Sequence, residues 1–324
     1  MTAPHEASLY LECGAPAVMD FAYGGRPHLR ELYEKGKLAR WDANVALDWR
    51  IDVDPEAPLA YDDVFLPVYG SPIWLQAGSA EQTQIRHHYQ AHTLSQFLHG
   101  EQAALLAAGR LIQVMPHALG KQFAAQQADD EARHIEVFER LISEKVGTRY
   151  GMDEGVLAFF KMGLSDPRWD FAVLTSQILI EGLALGLLQR LRDFSRNKLI
   201  KSIAMYIMAD EARHVAFGLD ELGDYYAQLS DAELRERAEF AQDGLDTLRR
   251  KLNPTAVWRE LGLSERLDPA APAQQSFERT MSKLTTRLEA MLERIRLRQS
   301  RGGVDAATRL QTWAMADERV FQKS

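Results

Sequence analysis

A tetrapeptide that combines an acidic and an imidazole side chain occurs twice in this chain. Glu-Ala-Arg-His fills residues 131–134 and again residues 211–214. A lone glutamate precedes each copy by 30 positions, Glu101 in the first case (131 − 101) and Glu181 in the second (211 − 181). The second set is therefore the first set displaced by 80 positions (181 − 101). Residues three positions apart leave the same face of a helix, so each tetrapeptide presents a carboxylate beside an imidazole.

Four carboxylates and two imidazoles are the ligand count of a centre with two metal ions. Side chains of these types, without thiolates, favour iron or manganese and give no reason to expect a structural zinc ion. We expect two iron ions, with a manganese–iron pair as the alternative, and O2 as the co-substrate. The predicted metal ligands are Glu101, Glu131, His134, Glu181, Glu211 and His214.

A single Glu-x-x-His often arises by chance on the solvated face of a helix, and this is the alternative interpretation. The whole pentapeptide Asp-Glu-Ala-Arg-His recurs, however, at 130–134 and 210–214. Glu181 also lies in the apolar run Ile-Leu-Ile-Glu-Gly-Leu-Ala-Leu at 178–185. An unpaired carboxylate is costly to bury in such a run, whereas a carboxylate that binds a cation is tolerated. The two-metal interpretation is therefore preferred.

The aspartates that open the two pentapeptides are predicted to orient the histidines. Each would accept a hydrogen bond from the imidazole nitrogen that faces away from the metal, on the histidine of the opposite pentapeptide. The expected pairs are Asp130 with His214 and Asp210 with His134. The alternative is an ion pair on a helix surface, with the neighbouring Arg133 or Arg213 as the partner.

The hydrophobic pattern predicts four helices that carry these residues. Apolar side chains recur at helical spacing, and the pattern breaks at Pro116, Gly147 and Asn197. The expected helices cover about 80–110, 117–146, 167–194 and 198–228. Within each pair the helices are joined by a short link, and a longer segment at 147–166 separates the pairs. The sequence therefore predicts an all-α, ferritin-like four-helix bundle, built from two helical hairpins around the metals.

Additional helices are expected on both sides of the bundle. Residues 1–79 are rich in proline and glycine and predict a loop-rich region that packs on the bundle, with one short helix near 28–39. Residues 230–324 predict a C-terminal helical extension, which opens with a capping box formed by Ser230 and Glu233. Its expected elements are a helix at 230–252, a Pro/Ala-rich linker at 264–275 and a helix at 277–299. The expected division of the chain is 1–79, 80–229 and 230–324.

Composition and charge narrow the class of protein. The chain has 324 residues, a formal net charge of −8 and a single cysteine. The acidic balance argues against a nucleic-acid partner, and one cysteine excludes an intramolecular disulfide or a Cys-x-x-Cys metal module. The most apolar stretch, 172–188, carries Glu181 and is better explained as a central bundle helix than as a membrane span. Since no secretory signal is visible, we expect a cytoplasmic protein without a membrane partner.

Four segments resemble those of the ferritin-like di-iron oxidases and oxygenases. They are Phe97-Leu-His-Gly-Glu-Gln-Ala at 97–103, and the segments 130–138, 177–185 and 210–218. The closest local similarity is to the ligand-binding oxidases related to the ribonucleotide reductase small subunit. The form Asp-Glu-x-Arg-His also resembles bacterial multicomponent monooxygenases. The resemblance implies an O2-activating enzyme that receives electrons from an external donor, a reductase or a ferredoxin, and a homodimer is a further expectation.

The chain departs from these relatives at several positions. Phe138 replaces the tyrosine that forms a radical in the reductase small subunit, and Ser176 and Ala104 replace the residues that crosslink in the ligand-binding oxidases. The multicomponent hydroxylases have a threonine at the position of Leu185. The arylamine N-oxygenases carry an additional histidine four residues before the fourth glutamate, where this chain has Ile207. Together these differences indicate a stand-alone oxygenase with an unusual pocket.

Small and apolar side chains one helical turn from the ligands predict a dry chamber for a small, largely apolar organic substrate. These residues are Ala104, Leu105, Phe138, Ala184, Leu185 and Gly218. Gln177, one turn before Glu181, is the polar exception and the candidate catalytic residue, which would orient the substrate or a metal-bound water. Ordinary core packing explains the same residue types and is the alternative.

Two other functions compete with an oxygenase. The first is a radical or electron-transfer subunit like the reductase small subunit, in which Trp41 or Trp49 would serve as a relay. The second is an iron-binding or iron-storage protein without an organic substrate. The oxygenase is the leading hypothesis because the radical-forming tyrosine is absent and the chain is long for a storage subunit.

Overall fold

The N-terminal segment, which comprises the described residues before 79, consists of short helices and loops that pack on the bundle. The computed structural model describes residues 17–21, 26–251, 254–266 and 286–297, and every regular element in these ranges is a helix. The predicted all-α fold is therefore confirmed. The first three helices are α1 (Pro27–Leu38), α2 (Ala43–Ala46) and α3 (Pro72–Gln76). Leu29 and Leu32 of α1, together with Leu59, are buried in the main core, so this segment packs on the bundle.

The first helical hairpin is formed by α4 (Ser79–Val114) and α5 (Ala118–Leu141). The break between them falls at Pro116, and the His117 side chain caps α5 by accepting a hydrogen bond from the Gly120 backbone N–H at 3.0 Å. A π-helical turn, Ile142–Val146, continues α5 to Gly147. Gly147 has φ of 75°, a left-handed conformation that glycine adopts readily and that ends the helix as predicted.

The connection between the hairpins contains a helix that the sequence did not reveal. Residues 147–166 were expected to be a longer segment between the two pairs, with no helix predicted in it, but α6 (Glu154–Ser165) lies within them. Its buried residues include Phe159, Phe160 and Leu164. The helix packs against the C-terminal part of the chain as well as the bundle, so its stability depends on tertiary contacts that local sequence patterns do not show.

The second hairpin begins with an interrupted helix. It runs through α7 (Trp169–Val173), a π-helical segment at Leu174–Ile180 and α8 (Glu181–Phe194). The second helix of the hairpin is α9 (Lys198–Tyr226), capped by the Asn197 side chain, which accepts from the Leu199 backbone N–H at 2.9 Å. π-helical turns are rare and are found mostly at functional sites. Here the π-helical segment ends directly before Glu181.

The helix that runs from α7 to α8 is apolar enough for its length to cross a membrane. This helix, Trp169–Phe194, has 78% of its most apolar window buried inside the protein. It packs against α9 and the C-terminal helices, which is the position of a central bundle helix. The stretch 172–188, predicted from the sequence to be a central bundle helix, therefore lies inside the bundle.

Within the residues that the structure describes, the C-terminal part adds three helices. They are α10 (Asp231–Lys251), α11 (Thr255–Glu260) and α12 at 286–294. The predicted capping box is confirmed, because the Ser230 backbone N–H donates to Glu233 Oε2 at 2.9 Å and the Glu233 N–H donates to Ser230 Oγ at 3.4 Å. Of the predicted helix at 277–299, the part at 286–294 is helical and the ends lie outside the described residues. The predicted linker at 264–275 also lies mostly outside them; Ser264–Arg266 forms a 3-10 turn.

Candidate metal centre

The structure brings the six predicted ligands together at the centre of the bundle. Their ligand atoms fall into two groups, and within each group all atoms lie within 4.8 Å of one another. Site A consists of Glu101, Glu131, His134 and Glu211, and site B consists of Glu131, Glu181, Glu211 and His214. The two sites share Glu131 and Glu211. This arrangement corresponds to two cations, each with one glutamate and one histidine of its own and two shared glutamates.

Four different helices supply these side chains, and all six are buried. Glu101 comes from α4, Glu181 from the first turn of α8, and the two Glu-x-x-His pairs from α5 and α9. Each pair lies on one face of its helix because its members are three residues apart. Each hairpin therefore contributes one glutamate from one helix and one pair from the other.

The two imidazoles have the same orientation relative to the centre. Nδ1 of His134 lies 3.3 Å from Glu101 Oε2, and Nδ1 of His214 lies 3.2 Å from Glu211 Oε2. The opposite nitrogens face aspartates: His134 Nε2 contacts Asp210 Oδ2 at 3.0 Å, and His214 Nε2 contacts Asp130 Oδ2 at 3.2 Å. The cross-hairpin pairs expected from the sequence are thus present. Donation from Nε2 to aspartate leaves Nδ1 as the free ligand atom on both rings.

Two arginines complete a charged layer around these aspartates. Arg133 bonds to Asp130 and, at 3.3 Å, to Asp210. Arg213 bonds to Asp210 and, at 3.4 Å, to Asp130. From the sequence, a histidine or an arginine was the alternative partner of each aspartate. In the structure each aspartate contacts a histidine and an arginine at the same time. Both aspartates are buried, so their ion pairs with the arginines lie inside the protein and not on a helix surface.

Crowding and burial shift the pKa values of the ligands. Burial raises the pKa of Glu101 to about 8, against an opposing effect of the nearby His134. Burial also raises the pKa of Glu181 well above its ordinary value. For His134 and His214 burial alone would lower the pKa, but the facing carboxylates outweigh it and hold both pKa values well above the ordinary one. Glu101, Glu181 and the two histidines therefore bind protons strongly, and cations would displace these protons.

The residues fit a pair of metal ions. Oε2 of Glu181 is buried without a hydrogen-bond partner among the described residues, with His214 Nδ1 3.8 Å away, whereas Oε2 of Glu131 faces His134 Nδ1 at 3.2 Å. Buried polar atoms are satisfied almost everywhere in proteins, so the Glu181 oxygen requires a partner of another kind. Oxygen and imidazole donors in this number suit two iron or manganese ions. The donor set and the unpaired Glu181 oxygen both indicate bound cations.

Gln127 is a member of the site that the sequence analysis missed. Its Nε2 donates to Glu131 Oε1 at 3.1 Å and to Glu181 Oε1. Gln177, the candidate catalytic residue, in turn donates from Nε2 to Gln127 Oε1 at 2.8 Å. Gln127 stands four residues before Glu131 on α5, which places both side chains on one face. That spacing was a signal that could have found it.

The residues of the predicted chamber differ in how deeply they are buried. Ala104, Phe138 and Leu185 are buried, whereas Leu105 and Ala184 are half-buried. Phe138 stacks on Phe97 with ring centroids 5.1 Å apart and an angle of 5° between the planes. Its ring is therefore engaged in the core, as the alternative interpretation expected. The role of these residues in a substrate chamber stays a prediction.

The structure distinguishes between the two predicted relay tryptophans. Trp41 Nε1 donates to Asp210 Oδ2 at 2.8 Å, and its ring lies 4.9 Å from that of Tyr206 and under the guanidinium of Arg133. Trp49 Nε1 donates instead to the Ala43 backbone oxygen at 2.8 Å. Of the two, Trp41 is the one that contacts the hydrogen-bond partner of a predicted ligand.

The fold and the centre define a ferritin-like protein of the di-metal carboxylate class. Residues 26–296 match the model of a family described as "P-aminobenzoate N-oxygenase AurF", and the chain belongs to this family. AurF is a di-iron enzyme that uses O2, so membership confirms the predicted class, a di-iron oxygenase, and does not favour a radical subunit or a storage protein. The isoleucine at position 207 does not place the chain outside the family.

Solved structures support the fold. Two of them are point mutants of an R2-like ligand-binding oxidase, each with an anaerobically reconstituted Mn/Fe cofactor. The first is 15% identical to this chain, with a TM-score of 0.55 over 83% of this chain and 93% of that one. The second is 16% identical, with a TM-score of 0.54 over 85% of this chain and 94% of that one. The predicted ferritin-like bundle is thereby confirmed. A search of curated proteins gave no significant match.

Proposed function

We propose that this protein is a monooxygenase that transfers one oxygen atom from O2 to the nitrogen of a small amine, using two iron ions in sites A and B. The observation that carries the proposal is the buried six-ligand centre in a chain that belongs to an N-oxygenase family. Conversion of R–NH2 to R–NHOH takes one oxygen atom from O2. The other leaves as water once two electrons and two protons have been supplied.

The side chains around the centre have distinct tasks in this proposal. Glu131 and Glu211 would hold both ions, and the remaining ligands would hold one each. When bound, the ions supply the binding and reduction of O2. Asp130 and Asp210 fix the tautomer and direction of the two imidazoles, and hydrogen bonds of this kind raise the basicity of a metal-binding histidine.

The choice of metal follows the family. AurF is a di-iron enzyme, and the same donors would also accept the Mn/Fe pair that the similar solved structures contain. Carboxylates and imidazoles do not discriminate strongly between iron and manganese. We therefore propose two irons in the active protein, with a Mn/Fe pair as the alternative.

An external donor, a reductase or a ferredoxin, would supply the electrons. The support is the contact series from Tyr206, which is 37% exposed, through Trp41 and Asp210 to His134. Each step is a ring contact or a hydrogen bond, so the series is continuous from the surface to site A. We propose this series as the entry for electrons.

The test is a direct search for oxygenated amine. Protein loaded anaerobically with Fe(II) is exposed to 18O2 with p-aminobenzoate and a chemical reductant, and the products are analysed by mass spectrometry. We expect one 18O atom per hydroxylamine formed. O2 consumption without any oxygenated amine, for p-aminobenzoate and for aniline, would contradict the proposal. The variant Glu131→Ala is the matched control because it removes a ligand of both sites and should lose the centre.

A further inference from the structure

The 80-residue repeat relates the two sites, so the surroundings of one can be compared with those of the other. Glu181 lies 80 positions after Glu101, and the Glu-x-x-His at 211–214 lies 80 positions after the one at 131–134. The repeat therefore converts site A into site B. A neighbour that differs between the two halves gives the two sites different chemical surroundings, although the ligands themselves are the same.

The neighbours of the two sites differ in polarity. Beside site A, Phe97 lies four residues before Glu101 and Phe138 lies four residues after His134, and the two rings stack. The repeat places Gln177 (97 + 80) and Gly218 (138 + 80) at the equivalent positions beside site B. Two aromatic rings in one half thus correspond to a glutamine and a glycine in the other.

The same asymmetry holds at a third position. Gln127, which bonds to Glu131 and Glu181, has Ile207 (127 + 80) as its counterpart. Ile207 is fully buried and apolar. Both glutamines of the centre therefore lie on the side of site B, and the equivalent positions on the side of site A are apolar.

The hydrogen bonds of these glutamines have a fixed direction. A carboxylate that binds a cation can only accept, so Gln127 must present its NH2 group to Glu131 and Glu181. Its Oε1 is then an acceptor and takes the hydrogen bond from Gln177 Nε2. This leaves Gln177 Oε1 as an acceptor in a fully buried side chain, without a hydrogen-bond partner among the residues that the structure describes.

We infer that Gln177 Oε1 is the recognition group for the substrate, and that an amine with at least one N–H binds beside site B and donates to it. The inference rests on the proposed function, to which it adds the group that recognises the substrate and the side of the centre on which the substrate binds. A buried acceptor without a partner is costly, and a donor on the substrate removes that cost. Amines that lack an N–H are disfavoured for the same reason.

The lack of a side chain at Gly218 leaves space for the side chain of Gln177. A Cβ added at position 218 would lie 2.9 Å from Gln177 Cβ and 3.2 Å from its Oε1. The third nearest atom is Ile178 Cδ1 at 3.2 Å, so the three atoms closest to the added Cβ belong to Gln177 and Ile178, and Gly218→Ala would displace Gln177. Gly223, on the same helix, is the matched control, because a Cβ added there would meet no described atom within 4 Å.

The experiment compares a donor amine with its counterpart that has no N–H. Protein loaded with Zn(II), which is redox-inert, is titrated calorimetrically with p-aminobenzoate and with 4-(dimethylamino)benzoate. We expect wild type and Gly223→Ala to bind the first about tenfold more tightly, the effect of one hydrogen bond. Gln177→Leu and Gly218→Ala should bring the ratio of the two dissociation constants close to one. All four proteins should retain two Zn(II) ions.

Three results would overturn the inference: equal binding of both compounds by wild type, no binding of either, or a preference that survives in Gln177→Leu. The last result would show that the methyl groups are excluded by size alone. Failure of the proposed function is a separate result, since it concerns the 18O-labelled product. A protein that forms this product without preferring the N–H compound would contradict only the inference, and the reverse combination would contradict only the proposed function.

Discussion

The indole Nε1 of Trp41 donates a hydrogen bond to Oδ2 of Asp210 at 2.8 Å. The same oxygen accepts the hydrogen bond of His134 Nε2 at 3.0 Å. Trp41 belongs to the N-terminal segment and not to the bundle, and its ring also stacks on that of His134 with centroids 6.4 Å apart, so Trp41 connects the segment to site A. Because Gln177 lies beside site B, the proposed entry of electrons and the proposed position of the substrate are on opposite sides of the centre.

We predict that Trp41→Phe slows the reduction of the iron centre while the iron content stays at the wild-type value. Phenylalanine keeps an aromatic ring but removes the hydrogen bond to Asp210, at a cost in stability of about 1–3 kcal/mol. The measurement is stopped-flow reduction of the ferric protein by a reduced ferredoxin. Trp49→Phe is the control, since the Trp49 indole bonds to a backbone oxygen elsewhere. Equal rates for the two variants would show that electrons do not pass through Trp41.

We predict that Asp210→Ala and Asp130→Ala each weaken metal binding about 10- to 100-fold, because each histidine loses the acceptor that orients it. Competition with a chelator measures the affinity. Asp48→Ala serves as the control, since Asp48 is exposed and pairs with Arg50 at the surface. The orienting role would be ruled out by affinities that match the control.

Metal binding should depend on pH in a definite direction. The pKa of Glu101 is raised to about 8, and the carboxyl group must lose its proton before it can bind a cation. Between pH 6 and 8 the release of this proton should raise the Zn(II) affinity of site A by about tenfold per pH unit, and the contribution of Glu101 should level off above pH 8. The proton of His134, whose pKa is also raised, adds to the rise. Titrations across this range, in buffers of different protonation enthalpy, would also count the released protons. An affinity that is constant from pH 6 to 8 would contradict the prediction.

The two alanines of the predicted chamber should respond differently to enlargement. Ala184 is the counterpart of Ala104 in the repeat (104 + 80) and lies three residues after Glu181 of site B. We expect Ala184→Phe to reduce substrate-stimulated O2 consumption, and Ala104→Phe to have the smaller effect. Overpacking costs about 1–3 kcal/mol, so metal content should be unchanged in both. If only Ala104→Phe blocks the reaction, the substrate lies on the side of site A.

Local spacing was sufficient to predict the six-residue cluster. Glu-x-x-His fixes a face of a helix, and the exact repetition of the motif showed that two such faces meet, which also led to the pairing of Asp130 with His214. The contact of Gln127 with Glu181 was not predicted, because it crosses between hairpins and depends on how the two faces are aligned. The π-helical segment before Glu181 was missed for a similar reason. Its wider turn results from packing, whereas the periodicity of the apolar residues there is that of an ordinary helix.

Iron analysis of three proteins reconstituted anaerobically with Fe(II) tests the central claim most directly. Sites A and B share Glu131, whereas Glu101 belongs to site A alone. We predict two equivalents of iron per chain for the wild type, one for Glu101→Ala and close to none for Glu131→Ala. One equivalent or less in the wild type, or the same content in all three proteins, would contradict a two-metal centre with these ligands.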